Sequence, residues 1–190
     1  MNKAIAAIKS LHERYAQAHQ AENISMLTEY IEAWNAPCYV SDAETIKTEQ
    51  GNLLIPWQAA EQSEPADFKN VEQALETKIP QSVKTFFNTF WAGDLDCLWE
   101  QTPVILLQVQ SEEDMRRLQE NLIGHVLMKR RLKQPETIFI GVGEEEDLLI
   151  TVTLDSASVG FEYVGKEQHL VVADSLPMFL QKLTPLITNK

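Results

Sequence analysis

The side chains of this chain that could carry out chemistry are carboxylates, histidines and cysteines, and their spacing decides which reactions are open to them. Asp94-Leu95-Asp96, with Glu100 nearby, sets two acids two residues apart. In a β-strand such a pair lies on one face, where it could hold a cation or serve as general acid and base. No histidine accompanies the pair, and the glycine pattern of a calcium loop is missing. The spacing therefore favours a solvated or partner-facing edge at Asp94 and Asp96.

The other reactive side chains do not complete a catalytic or metal-binding motif. Cys38 and Cys97 form neither a CxxC pair nor a Cys/His cluster, which disfavours a zinc site and a disulfide framework. Gly141-Val142-Gly143 precedes four acids rather than a helix start, so it is unsuited to cradle a phosphate. None of the histidines belongs to an HExxH motif or lies beside a candidate nucleophile: His12, His19, His125 and His169. The sequence predicts no enzyme, no metal and no cofactor.

Acidity is the dominant compositional feature, with a net charge of −12 over 190 residues. Residues 20–115 hold 17 acidic and 4 basic side chains, whereas residues 116–133 hold 6 basic and 1 acidic. Nucleic acids and anionic lipids both attract basic surfaces, so the charge disfavours them as direct ligands. The alternatives left open are that the charge only keeps the protein soluble, or that it attracts a basic partner.

Three groups of acids could form such a partner surface. Glu112 and Glu113 follow Ser111 in the predicted first turn of a helix, where negative charge is favourable. Glu144-Glu145-Glu146-Asp147 lies between two predicted strands and reads as a hairpin tip. The tip is either a solubilising turn or one wall of an anionic binding surface. Together with Asp94 and Asp96, these acids could converge on one rim of a sheet.

The chain has the length and composition of one packed domain, residues 1–190, with 44% hydrophobic residues. Lys3, Lys9 and His12 interrupt the apolar residues at the start, which argues against a signal peptide. No run of about 18 apolar residues is long enough to cross a bilayer. Two unpaired cysteines fit a reducing compartment. The sequence therefore predicts a cytoplasmic protein.

Apolar periodicity predicts several helices around a sheet. The strongest helix runs from Ser111 as N-cap to Lys133, with acids in its first turn, bases in its last and Pro135 after it. His125 lies near its apolar face and is predicted to pack in the core. Further helices are predicted at 3–20, 25–34, 70–75 and 81–91 and from about Ser175 onward.

Strands are predicted between these helices. Val104–Val109 is a continuous apolar run of the kind found in buried central strands. Cys38–Val40 and Leu53–Ile55 read as a hairpin around Gly51, and four further strands are expected at 137–142, 148–154, 159–164 and 169–172. The pattern predicts an α+β single domain with a mixed or antiparallel sheet packed by helices.

The long helix and its flanks resemble a known family. The residues that carry the resemblance are Leu106-Leu107-Gln108, the run Arg116 to His125, Arg131-Leu132-Lys133, Pro135 and Phe139-Ile140. They are similar to the Syd family of bacterial SecY-interacting proteins. The resemblance takes in Trp57-Gln58 and Glu144-Glu145-Glu146, and is weakest between 42 and 69. Val71 to Gly93 also resembles the broader SUKH superfamily, which includes toxin-immunity proteins.

The resemblance implies a SUKH-like fold with an electronegative concave face and no enzymatic activity. It implies binding to the basic cytoplasmic loops of SecY, with peripheral attachment to the cytoplasmic side of the inner membrane and regulation or checking of uncomplexed SecY. The alternatives are an acidic immunity-type protein that neutralises a basic toxin and, more distantly, a carboxylate enzyme. The residues predicted to bind the partner are Asp94, Asp96, Glu112, Glu113, Glu144, Glu145, Glu146 and Trp57.

Overall fold

The computed structural model describes residues 3–188, and helices and strands alternate irregularly along them. The helices are α1 Lys3–Glu22, α2 Lys69–Leu75, α3 Gln81–Thr89, α4 Glu112–Arg131 and α5 Leu176–Lys182. The strands are β1 Leu27–Glu29, β2 Ile46–Lys47, β3 Leu53–Pro56, β4 Ala60–Glu61, β5 Phe90–Trp91, β6 Leu95–Trp99, β7 Thr102–Leu106, β8 Thr137–Gly143, β9 Leu148–Thr153, β10 Val159–Tyr163, β11 Leu170–Ala173 and β12 Leu183–Pro185. The predicted α+β class is confirmed.

A seven-stranded sheet in the order β11-β10-β9-β8-β7-β6-β12 forms the centre of the molecule. All of its neighbouring strands pair antiparallel. Helix α4 leaves the end of β7 and returns the chain to β8, which pairs beside β7. This route packs α4 against β8, while α1 packs against α5, α3 and β12.

The core lies between the central sheet and these helices. Leu122 of α4 and Phe86 of α3 are both buried, as their helical periodicity predicted. Val104 and Leu106 of β7 and Ile150 of β9 bury their side chains in the same cluster. Arg14 ties α1 to the end of the chain by donating to the backbone oxygens of Leu180 and Leu183. The two layers therefore share one continuous hydrophobic core.

A smaller sheet of three strands, in the order β1-β3-β2, lies outside the central one. Here the helix predicted at 25–34 is wrong, because Leu27–Glu29 pairs with Leu54–Pro56 as strand β1. The strand predicted at Cys38–Val40 is reduced to a single bridge between Tyr39 and Trp57. The partner of β3 across the turn at Gly51 is instead Ile46–Lys47. Pairing over long sequence distances overrides the local periodicity at these positions.

Two further boundaries differ from the sequence prediction for local reasons. Helix α3 ends at Thr89 rather than 91, because Phe90–Trp91 pairs with Ala60–Glu61. Strand β7 ends at Leu106 rather than Val109, since the Asp94 carboxylate accepts from the backbone N–H of Gln108 at 2.7 Å. That contact draws the chain after β7 toward the start of β6.

Candidate functional site

The start of α4 is built to hold negative charge. Ser111 caps the helix, and its Oγ accepts from the backbone N–H of Asp114 at 3.2 Å. Asp114 in turn accepts from the backbone N–H of Gln110, the residue before the N-cap, at 3.0 Å. Glu112 and Glu113 occupy the rest of the first turn, where the helix dipole is positive. The predicted N-cap is confirmed, and the acids lie where the helix stabilises them.

One groove beside this turn, of about 260 Å³, gathers three carboxylates from separate parts of the chain. Glu29 comes from β1, Asp94 from the approach to β6 and Asp114 from α4. Burial raises the pKa of Asp114, partly opposed by the hydrogen bond from Gln110 and the charge of Arg117. The Arg117 guanidinium lies 5.3 Å from the Trp34 ring centroid and is the one cation among the described groove residues.

A second groove, of about 560 Å³, lies on the other side of the same helix turn. Its only basic residue within the described chain is Arg116, which contacts Glu113 at 3.5 Å. The acids of this groove are Glu64, Asp67, Glu112 and Glu113. We call the acids of the two grooves the helix-start surface: Glu29, Glu64, Asp67, Asp94, Glu112, Glu113 and Asp114. Three of these seven acids were predicted to bind a partner from the sequence.

The acidic tip of the β8–β9 hairpin lies at the other end of the central sheet. In the register of the sheet, Gly143, which precedes the tip, pairs with Val104 of β7. Leu95, which follows Asp94, pairs with Leu106 at the other end of β7. The tip therefore extends away from Asp94, and the expectation that all the acids converge on one rim is wrong for Glu144–Glu146. Glu145 accepts from the hydroxyl of Tyr163 at 2.6 Å, and this hydrogen bond raises the Tyr163 pKa.

Two residues of the predicted partner set are buried and support the surface from below. Asp96 lies within the sheet, where its carboxylate accepts from the Thr188 hydroxyl at 3.4 Å. Trp57 is packed in the core beside Gly93, whose position leaves no room for a Cβ atom because the indole Nε1 would lie 2.7 Å from it. Neither side chain offers much surface to a partner, so their roles there are structural.

The basic end of α4 contains a buried polar cluster that the sequence did not reveal. Lys129 and Glu162 are both fully buried, and Lys129 Nζ lies 3.3 Å from Glu162 Oε1. Thr137 and Thr151 each donate a hydroxyl hydrogen bond to Glu162, at 3.0 and 3.1 Å. Lys129 also donates to the backbone oxygen of Lys166 at 2.5 Å. The cluster joins α4, three strands and the β10–β11 loop.

This cluster contains a threonine, a histidine and a carboxylate, but it is arranged for stability rather than nucleophilic catalysis. His125 Nε2 lies 2.9 Å from Thr137 Oγ1 and 3.4 Å from Glu162 Oε1, so one ring nitrogen faces both groups. A catalytic triad holds its carboxylate on the opposite nitrogen. The Thr137 hydroxyl already donates to Glu162 and is buried. The prediction that His125 packs in the core is confirmed.

Burial keeps three other reactive groups, His12, Cys38 and Cys97, neutral. Burial raises the pKa of Cys38 and of Cys97 to about 12, which leaves both thiols protonated. A groove of about 610 Å³ along α1 includes His12 and His19. Burial lowers the pKa of His12 to about 4, although the hydrogen bond with Gln108 acts to raise it. Among residues 3–188, no group of three or more His, Cys, Asp or Glu side chains is placed to hold a metal ion.

Comparison with known proteins assigns a family to this arrangement. A family model described as "Syd protein (SUKH-2)" matches residues 5–185. The chain belongs to the Syd family. Protein Syd of Idiomarina loihiensis is 45% identical over 185 residues, covering 95% of this chain and 93% of the relative. Protein Syd of Colwellia psychrerythraea is 36% identical over 187 residues, covering 96% and 94%.

The family resemblance read from the sequence is thus confirmed along most of the chain. A further Syd protein, from Alteromonas mediterranea, is 40% identical over 153 residues, covering 80% of this chain and 81% of the relative. Across residues 3–188, no helix of this Syd-family chain is long and apolar enough to span a bilayer. The helix-start surface thus belongs to a Syd-family chain, and the relatives from Idiomarina loihiensis and Colwellia psychrerythraea match at least 95% of that chain.

Proposed function

We propose that this Syd-family chain binds SecY at the cytoplasmic face of the inner membrane and acts there as a regulator or check of uncomplexed SecY. The observation that supports the proposal most directly is the helix-start surface, where carboxylates from four separate segments flank one helix turn. Cytoplasmic loops of membrane proteins are enriched in lysine and arginine. An acidic surface with only a few cations is complementary to such loops.

The same charge argues for attachment through the protein partner rather than through lipid. The cytoplasmic leaflet carries a negative surface potential, which repels a chain with a net charge of −12. Attraction to basic loops and repulsion from lipid headgroups act together to orient the molecule. Binding that depends on these charges weakens as salt screens them. The proposal thus requires a peripheral protein whose membrane binding depends on SecY.

Vesicle sedimentation tests this requirement. We expect the chain to sediment with proteoliposomes that contain purified SecY and to remain in the supernatant with protein-free vesicles of the same anionic lipid. The reason is that only the first vesicles present basic loops. Empty vesicles rich in phosphatidylglycerol serve as the control. Equal sedimentation with both kinds of vesicle would contradict protein-mediated attachment, and sedimentation with neither would refute SecY binding.

Charge reversal tests which acids face the partner. We expect Glu64→Lys/Glu112→Lys, on the helix-start surface, to weaken SecY binding by about 2- to 30-fold, because exposed charge pairs contribute roughly 0.2–1 kcal/mol each. Glu144→Lys/Glu146→Lys is the matched variant at the hairpin tip and leaves the Glu145–Tyr163 hydrogen bond in place. Affinity is measured in nanodiscs at two salt concentrations, with circular dichroism to confirm folding.

Glu144 and Glu146 of the hairpin tip stay among the residues proposed to bind SecY, although they lie outside the helix-start surface. Their distance from Asp94 lets the two variants report on separate sites. Sites without shared partners act nearly additively, so the combined variant is expected to multiply the two losses. Wild-type affinity and an unchanged salt response in the tip variant would show that Glu144 and Glu146 belong to a solvated turn. The same result in the helix-start variant would remove the main support for the proposal.

The alternative of an acidic immunity-type protein is not favoured by the match to the Syd family over residues 5–185. Co-purification from cells separates the two functions, because one partner is an integral membrane subunit and the other a soluble basic toxin. Recovery of SecY in the detergent-solubilised fraction supports the proposal. Recovery of a soluble basic protein instead would replace it.

A further inference from the structure

The small sheet β1-β3-β2 has one face turned to the core and one turned outward. Thr28 and Ile55 lie opposite each other in neighbouring strands and are both buried. Side chains alternate along a strand, and directly opposed residues share a face. Glu29, Leu54 and Ile46, which lie opposite one another across β1, β3 and β2, therefore form a row on the outward face.

Apolar side chains on this outward face are not part of the main core. Leu27 and Leu54 are half-buried, and Ile46 is 49% exposed. None of the three belongs to the core cluster or to the partly buried apolar residues packed against it. Strand β2 is an edge strand, so its outer backbone groups are also open to pairing. The chain thus presents an apolar sheet face beside an unpaired edge.

Three carboxylates lie on or beside this face, and one of them connects it with the helix-start surface. Glu29 belongs to both, because it lies in the outward row of the sheet and lines the groove with Asp94 and Asp114. Glu44 and Glu49 flank the edge strand β2 and are exposed. An apolar surface rimmed by acids is complementary to a segment in which apolar and basic residues are mixed.

We infer that the outward face of β1-β3-β2 docks a segment of the partner that carries both apolar and basic side chains. The inference rests on the proposed function, since it extends the same binding surface past Glu29. The helix-start surface attracts the positive charges, and Leu27, Leu54 and Ile46 bury the apolar side chains of the bound segment. Apolar burial is insensitive to screening, so this face holds the part of the affinity that survives high salt.

Removing the two apolar side chains nearest the edge tests the inference. We expect Ile46→Ser/Leu54→Thr to weaken binding to SecY in nanodiscs about five- to twentyfold and to make the remaining binding more sensitive to salt. Val171→Ser is the control, because Val171 is an exposed apolar residue on β11, an edge strand of the central sheet. The control is expected to bind like wild type. Thermal unfolding confirms that each variant is folded.

The outcomes separate this inference from the proposed function. If the unmodified chain binds SecY and Ile46→Ser/Leu54→Thr binds it with the same affinity and salt response, the inference is overturned and SecY binding stands. Failure of the unmodified chain to bind SecY would overturn both. A concentration-dependent dimer of the free chain that dissociates in the double variant, seen by sedimentation equilibrium, would show that a second copy covers this face and would also overturn the inference.

Discussion

Replacing Glu162 with glutamine is expected to lower the free energy of unfolding by about 3–5 kcal/mol, because the change leaves the buried Lys129 charge without its partner. Lys129 and Glu162 are both fully buried, and Lys129 is held in place by the backbone oxygen of Lys166. Urea denaturation monitored by tryptophan fluorescence measures the loss.

Glu136→Gln is the matched control for this substitution. Glu136 pairs with Arg130, the residue that follows Lys129 in α4, at 2.6 Å, and both side chains are partly exposed. A pair in contact with water is expected to contribute about 0–1 kcal/mol. If Glu162→Gln lowers the free energy of unfolding no more than this control does, the variant has no uncompensated buried charge. Lys129 has then either lost its proton or become hydrated.

The pH dependence of the same pair has a definite sign. Burial disfavours ionised Glu162, but hydrogen bonds from His125 and Thr137 and the charge of Lys129 outweigh it, so its pKa lies below the usual value. A carboxylate with a lowered pKa adds stability above its unfolded pKa of about 4.3 and loses it as pH falls through the folded value. The difference in unfolding free energy between wild type and Glu162→Gln should therefore shrink as the pH falls through the folded pKa of Glu162.

Leu122→Ala is expected to destabilise the fold by about 2–5 kcal/mol, because a fully buried leucine leaves a cavity when it is truncated. Leu122 lies on the face of α4 that joins the core cluster. This helix also carries the acids of the candidate site in its first turn. We expect the midpoint of urea denaturation to fall, with the dependence of unfolding free energy on urea unchanged.

Leu127→Ala on the same helix provides the comparison. Leu127 is 48% exposed, and alanine is the stronger helix former, so the expected change is within about 0.5 kcal/mol. Equal losses in the two variants would mean that helix propensity, rather than burial against the sheet, sets the effect.

Helix α4 shows what local sequence can specify. Ser111, the acids after it, the apolar periodicity and the bases before Pro135 are all short-range signals that agree with one another, and the structure follows them within a few residues. The burial of Leu122 and Phe86 follows from the same periodicity. The strands from β8 to β11 were also predictable, because adjacent turns join them along the chain.

Residues 25–34 show where local signals fail. Leu27, Tyr30, Ile31 and Trp34 match a helical spacing, yet the segment turns into β1 because its partner is supplied by residues 54–56. Strand β12 depends in the same way on β6, in which Cys97 pairs with Pro185. Such pairings are set by the assembled fold and leave no short-range signature.

The acids of the candidate site likewise divide into those that short-range sequence signals predicted and those that they did not. Asp94, Glu112 and Glu113 were found because acids at a strand end and a helix start are visible in the sequence. Glu29 was hidden in a segment predicted to be helical, and Glu64 and Asp67 lie between 42 and 69, where the family resemblance is weakest. Trp57 and Asp96 show the converse, since both were predicted to bind the partner and both are buried.

Helix α4 carries acids in its first turn, and the exposed bases Arg131 and Lys133 lie at and just past its last residue. Glu162 and Glu136 neutralise the other two bases of that end, Lys129 and Arg130. This separation gives helix α4 an electric moment in addition to the net charge of the molecule. In the field of a basic partner, such a moment exerts a torque that turns the acidic end forward before any contact forms. The two proteins are then partly oriented by this field while they diffuse together. Added salt should therefore slow association more than it speeds dissociation.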